Sequence, residues 1–340
     1  MSPRISTPAL ALPLSLLLAV ATVRAAAPAA AAALVAPAMS APATSTSATP
    51  AMRVLTNVTY LAPDRAEKLD VYLPEGRAPG VFSPALVWIH GGGWTGGMKS
   101  EARAKEVCTT LIGAGYVAVS IDYKLGNGSW PQSLLDCKNA VRFLRAHSKE
   151  YGIDPDRIAV GGGSAGGHLA LMVGITAGKK EFEPDATYAG VPDTVRAIIN
   201  CYGPANLVVP PAAANTGPAT GMRKLMDDSR VVFSAGAPDL AVLRAASPTL
   251  LVAKRMPPVL TFHGTADPTV DYEQSVELNK VLAERGVEHE FVSLEGVGHS
   301  FDFEIAVPTD GKPKLPRDLR PVALAFLAKH LAVKAAPASK

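Results

Sequence analysis

Six segments of this chain are mostly continuous apolar runs: ALVWIH (85–90), YVAVSID (116–122), RIAVGG (157–162), VRAIINCYG (195–203), PPVLTFHG (257–264) and EFVSLEG (290–296). A strand wetted on one face alternates apolar with polar residues, so a strand that does not alternate is buried on both faces. Between these runs lie segments of helical period, EARAKEVCTTLIGAG (101–115), PQSLLDCKNAVRFLRAHSKEYG (131–152), SAGGHLALMVGITAG (164–178) and DYEQSVELNKVLAERG (271–286), and VALAFLAKHLA (322–332) follows the last run. Strands alternating with helices require right-handed crossovers and a parallel sheet covered on both sides, which is an α/β architecture. Two earlier segments, VLTNVTY (54–60) and KLDVYLP (68–74), do alternate and predict an antiparallel pair with one solvated face.

Not all of the 340 residues belong to that sheet. The chain starts with Arg4, an apolar stretch ALALPLSLLLAV over 9–20 and small residues around Ala25, the layout of a secretory signal over residues 1–25. Twelve residues containing Pro13 are too few to span a bilayer, so the expectation is export to the periplasm or beyond, with no stable membrane span in the mature form. Residues 26–52 are almost entirely Ala, Pro, Ser and Thr and read as a tether, because they offer little bulky apolar surface to offset the entropy of ordering. One domain over 53–334 remains. Within it, residues from about 204 to 246 break the strand and helix rhythm, and an insertion at this point of such a sheet forms a small cap over its carboxyl edge.

The net charge of +3, without a basic stripe, points away from nucleic acid as a partner. Cys108, Cys137 and Cys201 sit in no C-x-x-C or His-rich setting, so no metal is expected. They read as small buried apolar residues in preference to a Cys108–Cys137 bridge, since a core of this size needs no staple. Nothing in the sequence specifies an oligomeric state.

The stretch GGGSAGGH (161–168) satisfies two glycine patterns at once. Gly161, Gly163 and Gly166 fit a dinucleotide-binding loop, while Gly162, Ser164 and Gly166 fit the tight turn that presents a nucleophilic serine. The dinucleotide pattern belongs after the first strand of its unit, with an acidic residue closing the next strand about twenty residues on. Here the glycines follow the fifth strand, and Glu181 and Glu183 stand in a polar loop. A serine nucleophile instead needs a base, an orienting carboxylate and donors for a developing oxyanion. HGGGW (90–94) follows one strand, HGTADPTV (263–270) another and GVGHSF (296–301) the last, which places Ser164, Asp267 and His299 in the order serine, acid, histidine.

This combination of motifs resembles α/β-hydrolase fold esterases, of the hormone-sensitive-lipase-like and exported bacterial carboxylesterase families, from about Val54 onward. The resemblance implies the α/β-hydrolase fold: a mostly parallel central sheet flanked by helices, with a small cap insertion. It also implies a cofactor-free serine carboxylesterase acting on a small-molecule or polysaccharide-linked ester with short acyl or hydroxycinnamoyl groups. Ser164 is then the nucleophile, His299 the base, Asp267 its orienting acid, and the N–H groups of Gly92, Gly93 and Ala165 the oxyanion hole. One departure is that Gly163 stands where the hormone-sensitive-lipase-like motif usually carries Asp. Trp94, Tyr123 and Trp130 follow strand ends and are candidates to line the substrate pocket. His168 and His263 read as structural histidines and Asp271 as a helix cap, while Asp302 follows His299 and breaks the order. Two rival functions keep the same residues: an amide hydrolase, and a binding protein that has lost catalysis.

Overall fold

Each of the eight expected strand segments contains a strand. The structure is a computed structural model and describes residues 51–332 apart from 79, 184–185, 209–231, 234–238, 302 and 304–314. The strands are β1 (Met52–Val58), β2 (Leu69–Pro74), β3 (Ser83–Ile89), β4 (Val117–Ile121), β5 (Ile153–Gly163), β6 (Ile198–Cys201), β7 (Val259–Gly264) and β8 (His289–Leu294). They form one sheet in the order β1-β2-β4-β3-β5-β6-β7-β8. β1 and β2 pair antiparallel, β2 joins β4 antiparallel, and every pair from β4 to β8 is parallel. The signal segment and nearly all of the tether lie outside the described residues, and Met52, expected in the tether, opens β1.

Alternation along the strands divides the core into two layers, because successive side chains point to opposite faces. In β3, Ala85, Val87 and Ile89 enter one layer and Leu86 and Trp88 the other. The expected solvated face is present on β1 and absent from β2. β2 is buried along its length up to the half-buried Pro74, because the helix over Ala102–Gly113 packs on the face that carries Tyr72, and Asp70 on that face pairs with Lys99. Cys137 lies in the first layer and Cys108 and Cys201 in the second, and all three are free and buried. A bridge between Cys108 and Cys137 is therefore closed off by the sheet between them.

The helices are α1 (Ala102–Gly113), α2 (Gln132–Ala146), α3 (Ser148–Tyr151), α4 (Ala165–Ile175), α5 (Leu240–Ala245), α6 (Pro248–Leu251), α7 (Glu273–Glu284) and α8 (Arg320–His330). α1 buries Ala104, Val107, Cys108, Leu111 and Ile112, the stripe that its i, i+3, i+4 spacing dictates. The single helix expected over 131–152 is two, because the chain breaks at His147 and α3 ends on Gly152 in the left-handed region. α4 has no polar stripe, and all eleven of its residues are buried. Of the expected cap, residues 204–208, 232–233 and 239–246 are described. Its entry is tied down by Gln274 of α7, whose Oε1 accepts the N–H groups of Ala205 and Asn206 at 2.9 and 2.7 Å.

Strand order reverses at β3, which has β4 on one side and β5 on the other. The crevice beyond the carboxyl ends of such strands is where an open α/β sheet binds ligands. The HGGGW segment leaves β3 there, and Ser164 leaves β5 beside it.

Candidate active site

Ser164 occupies the one-residue joint between β5 and α4, with φ 57° and ψ −124°. A non-glycine residue at positive φ is strained, and the strain turns the hydroxyl out of the sheet instead of into the ladder. The joint is held by the Ser164 N–H, which donates to the Cys201 carbonyl at 2.9 Å, and by the His168 N–H, which donates to the Ser164 carbonyl at 3.0 Å. Glycines flank the serine for steric reasons. A Cβ on Gly166 would run into the Ile89 carbonyl and lie 2.6 Å from the His90 carbonyl oxygen, and one on Gly162 would lie 2.5 Å from the Gly166 backbone. The departure at Gly163 has a similar cause, because a Cβ there would stand 2.8 Å from the Tyr202 hydroxyl. Tyr202 fills the space that an acidic side chain would need.

The structure brings Ser164, His299 and Asp267 together. His299 Nδ1 lies 2.7 Å from Asp267 Oδ2, and its Nε2 lies 3.0 Å from Ser164 Oγ. An ionised carboxylate only accepts, so Nδ1 carries the ring hydrogen and Nε2 is left to accept from the serine hydroxyl. Asp267 Oδ1 in turn accepts the N–H groups of Thr269 and Val270 at 2.8 and 2.9 Å. Burial pushes the Asp267 carboxyl up, but the hydrogen bonds from His263 and His299 outweigh burial and hold it well below the usual carboxylate range. Asp271 stands just before α7, and its carbonyl receives the Gln274 N–H at 2.9 Å, as the carbonyl of a residue at the start of a helix does. Asp302 lies outside the described residues.

A cavity of about 420 Å³ opens onto Ser164 and His299 and is walled on one side by Gly91, Gly92 and Gly93. Gly92 and Gly93 have φ of 111° and 60°, and a Cβ on Gly92 would strike the Gly96 carbonyl. The need for glycine at Gly92 thus comes from the turn itself as well as from access to a substrate. Ala165 is fully buried behind Ser164 as the first residue of α4, where the helix leaves N–H groups without intrahelical acceptors. Beneath the glycine turn, His90 stacks on Tyr123 with centroids 4.4 Å apart, and its Nδ1–H donates to the Gly91 carbonyl at 2.7 Å. Burial pushes the His90 imidazole down, so it holds the turn as a neutral ring.

The three aromatic residues expected in the substrate pocket do not line this cavity. Tyr123 is buried and donates its hydroxyl to the His90 carbonyl at 3.1 Å. Trp94 is fully buried and Trp130 partly so, and both pack on His168 and Phe233. A position after a strand end fixes the edge of the sheet but not the face, and these rings turn into the core. His168 is structural as expected, its Nε2–H donating to the Ala246 carbonyl at 2.7 Å. Residues that sequence reasoning passed over take the vacant places: Trp88, Tyr202, Glu101 and Arg103 line the cavity. The Tyr202 ring meets His299 edge-on at 4.6 Å, and its hydroxyl donates to the Phe301 carbonyl at 2.7 Å, tethering the histidine loop. The signal for Tyr202 was its place at the end of β6, next to the end of β5.

Comparison with known proteins places the family and the fold. The sequence model of the BD-FAE family matches residues 69–282. Esterase LipQ of Mycobacterium tuberculosis is 29% identical over 257 residues, which are 74% of this chain and 58% of LipQ, so the chain spans less than two thirds of that relative. Among solved structures, a truncated carbohydrate esterase from gut microbiota matches with a TM-score of 0.68 and 25% identity, over 84% of this chain and 98% of its own. A thermophilic esterase of Thermogutta terrifontis with propionate bound matches at a TM-score of 0.61 and 26% identity, over 84% and 97% respectively.

Proposed function

Because the chain belongs to the BD-FAE family, we propose that it is an exported serine carboxylesterase that cleaves short acyl or hydroxycinnamoyl esters through an acyl-enzyme on Ser164. The observation that carries this reading is the unbroken contact from Asp267 through His299 to Ser164, at 2.7 and 3.0 Å. His299 Nε2 takes the hydroxyl proton as Ser164 Oγ attacks the ester carbonyl, and the Asp267 carboxylate stabilises the imidazolium that results. The N–H groups of Gly92, Gly93 and Ala165 stabilise the oxyanion; in other enzymes, losing one such donor lowers turnover about 100- to 1,000-fold. His299 then returns the proton to the leaving alcohol, and water releases the acid by the same steps in reverse.

The short-acyl preference is supported by the size of the cavity, about 420 Å³, and by the propionate held by the Thermogutta esterase. A polysaccharide-linked substrate is supported by the carbohydrate esterase among the structural relatives. A screen of p-nitrophenyl acetate, methyl ferulate, acetylated xylan and a matched p-nitroanilide amide tests the reading. It predicts turnover of at least one of the three esters well above the amide. Faster amide cleavage would overturn it in favour of an amidase. Export is tested by the N-terminus of protein recovered outside the cytoplasm, expected near Ala25 to Ala27, and an N-terminus still at Met1 would contradict it.

A further inference from the structure

The carboxylate that orients His299 is held by a second imidazole. His263 is the last residue but one of β7, and its ring is fully buried between the Asp267 turn and α7. Its Nε2 faces Asp267 Oδ2 at 3.2 Å and the Val270 carbonyl at 3.1 Å, and its Nδ1 lies 2.7 Å from Ser275 Oγ. Both groups facing Nε2 are acceptors only, so Nε2 carries a hydrogen and donates to them. The Val270 peptide is gripped from both ends, its N–H by Asp267 Oδ1 and its carbonyl by His263.

We propose that His263 is a positioning residue of the triad, an Nε2–H donor that shares Asp267 Oδ2 with His299 and sets how strongly that carboxylate acts on the catalytic imidazole. The inference rests on the triad reading and extends it. Asp267 accepts four N–H donors, from Thr269, Val270, His263 and His299, and its side chain is wholly buried. Without the His263 donor, the negative charge on Oδ2 acts more fully on His299 and favours its protonated form. The base then needs a higher pH to be free. The other titratable and charged groups around the pair are Tyr272, whose ring meets His263 edge-on, and Tyr202, whose ring meets His299. Glu101, Arg103 and His90 line the same cavity as His299. Of these, Tyr272 is the one whose ring touches His263.

The test follows kcat/KM for p-nitrophenyl acetate from about pH 5 to 9 in wild type, His263→Phe and His263→Gln, with active enzyme counted by organophosphate titration. His263→Phe keeps a ring but no donor, whereas the amide N–H of His263→Gln reaches the position of Nε2. For His263→Phe the expected result is kcat about tenfold lower or worse and an acid limb displaced upward by about half a pH unit or more. His263→Gln restores both. An acid limb at the wild-type pH in His263→Phe, or a Gln variant no better than Phe, is what a purely structural histidine gives and overturns the proposal. If His263→Phe fails to fold, ¹⁵N shifts of the imidazoles in wild type decide: His263 must carry a hydrogen on Nε2, and a bare Nε2 refutes the proposal. Ser164→Ala separates the two readings. Activity surviving that change breaks the triad, whereas an unremarkable His263 in an enzyme silenced by Ser164→Ala breaks this inference alone.

Discussion

Acidification from pH 7 to 5 is expected to remove about 2 kcal/mol of folding stability through His168 alone. Its ring is fully buried against Trp94, Trp130 and Phe233. Burial pushes the imidazole down to about 4, against a backbone hydrogen bond to Ala246 that raises it. The unfolded chain titrates near the ordinary 6.5 and so binds the proton first as pH falls. Stability from this group is therefore complete above about pH 6.5 and declines as pH drops toward 4. The full difference is about 3 kcal/mol, of which about 2 is gone by pH 5. Urea unfolding at the two pH values, in wild type and in His168→Gln, measures it. The amide retains an N–H for the Ala246 carbonyl but cannot titrate, so the loss between pH 7 and 5 should be about 2 kcal/mol smaller in the variant. His90, also held down by burial, adds the same slope to both proteins and cancels in the comparison. Equal losses in the two proteins would refute the assignment of a neutral, buried His168.

Gly163→Asp should destabilise the protein by about 1–3 kcal/mol through overpacking against Tyr202. In a Tyr202→Ala background the same change should lose at least half of that effect, which a double-mutant cycle on urea midpoints reads directly. Ellman's reagent should find no reactive thiol in the native protein and three after unfolding, since Cys108, Cys137 and Cys201 are free and buried; a pair missing after unfolding without reductant would reveal a bridge. Acetyl to butyryl p-nitrophenyl esters should be cleaved far better than palmitoyl, given a cavity of about 420 Å³. A specificity constant still rising beyond about eight carbons is the trend that continued methylene burial would give, and would contradict this.

The central sheet was legible because burial on both faces writes itself into the sequence as runs without alternation. Ser164, Asp267 and His299 were legible because each follows such a run, and the sheet brings the carboxyl ends of its parallel strands to one edge. β2 misled for a related reason: LDVYLP alternates, yet α1 lies over the face that carries Asp70 and Tyr72, and the chain carries no local record of what packs on a strand. Trp94, Tyr123 and Trp130 were placed at the correct edge and on the wrong side, since a turn at positive φ, as at Trp94, redirects a side chain without changing its place in sequence. Tyr202 meets His299 through a contact between segments far apart in the chain, whereas the second donor on Asp267 is local, and only the four-residue step from His263 to Asp267 hinted at it. Within the expected cap, Val232 and Phe233 are buried, while Leu225, Met226 and Val231 lie outside the described residues.

The central claim is that Ser164, strained at the joint of β5 and α4, is the nucleophile. It is tested most directly by turnover of p-nitrophenyl acetate in Ser164→Ala, with urea unfolding confirming that the variant is folded. Loss of the nucleophile from such a triad lowers turnover by about a million-fold, so the variant should be indistinguishable from buffer in an ordinary assay. A folded Ser164→Ala protein that retained more than about a tenth of the wild-type rate would contradict the account, because the oxyanion donors and binding that survive the change leave only about a millionth of the full rate.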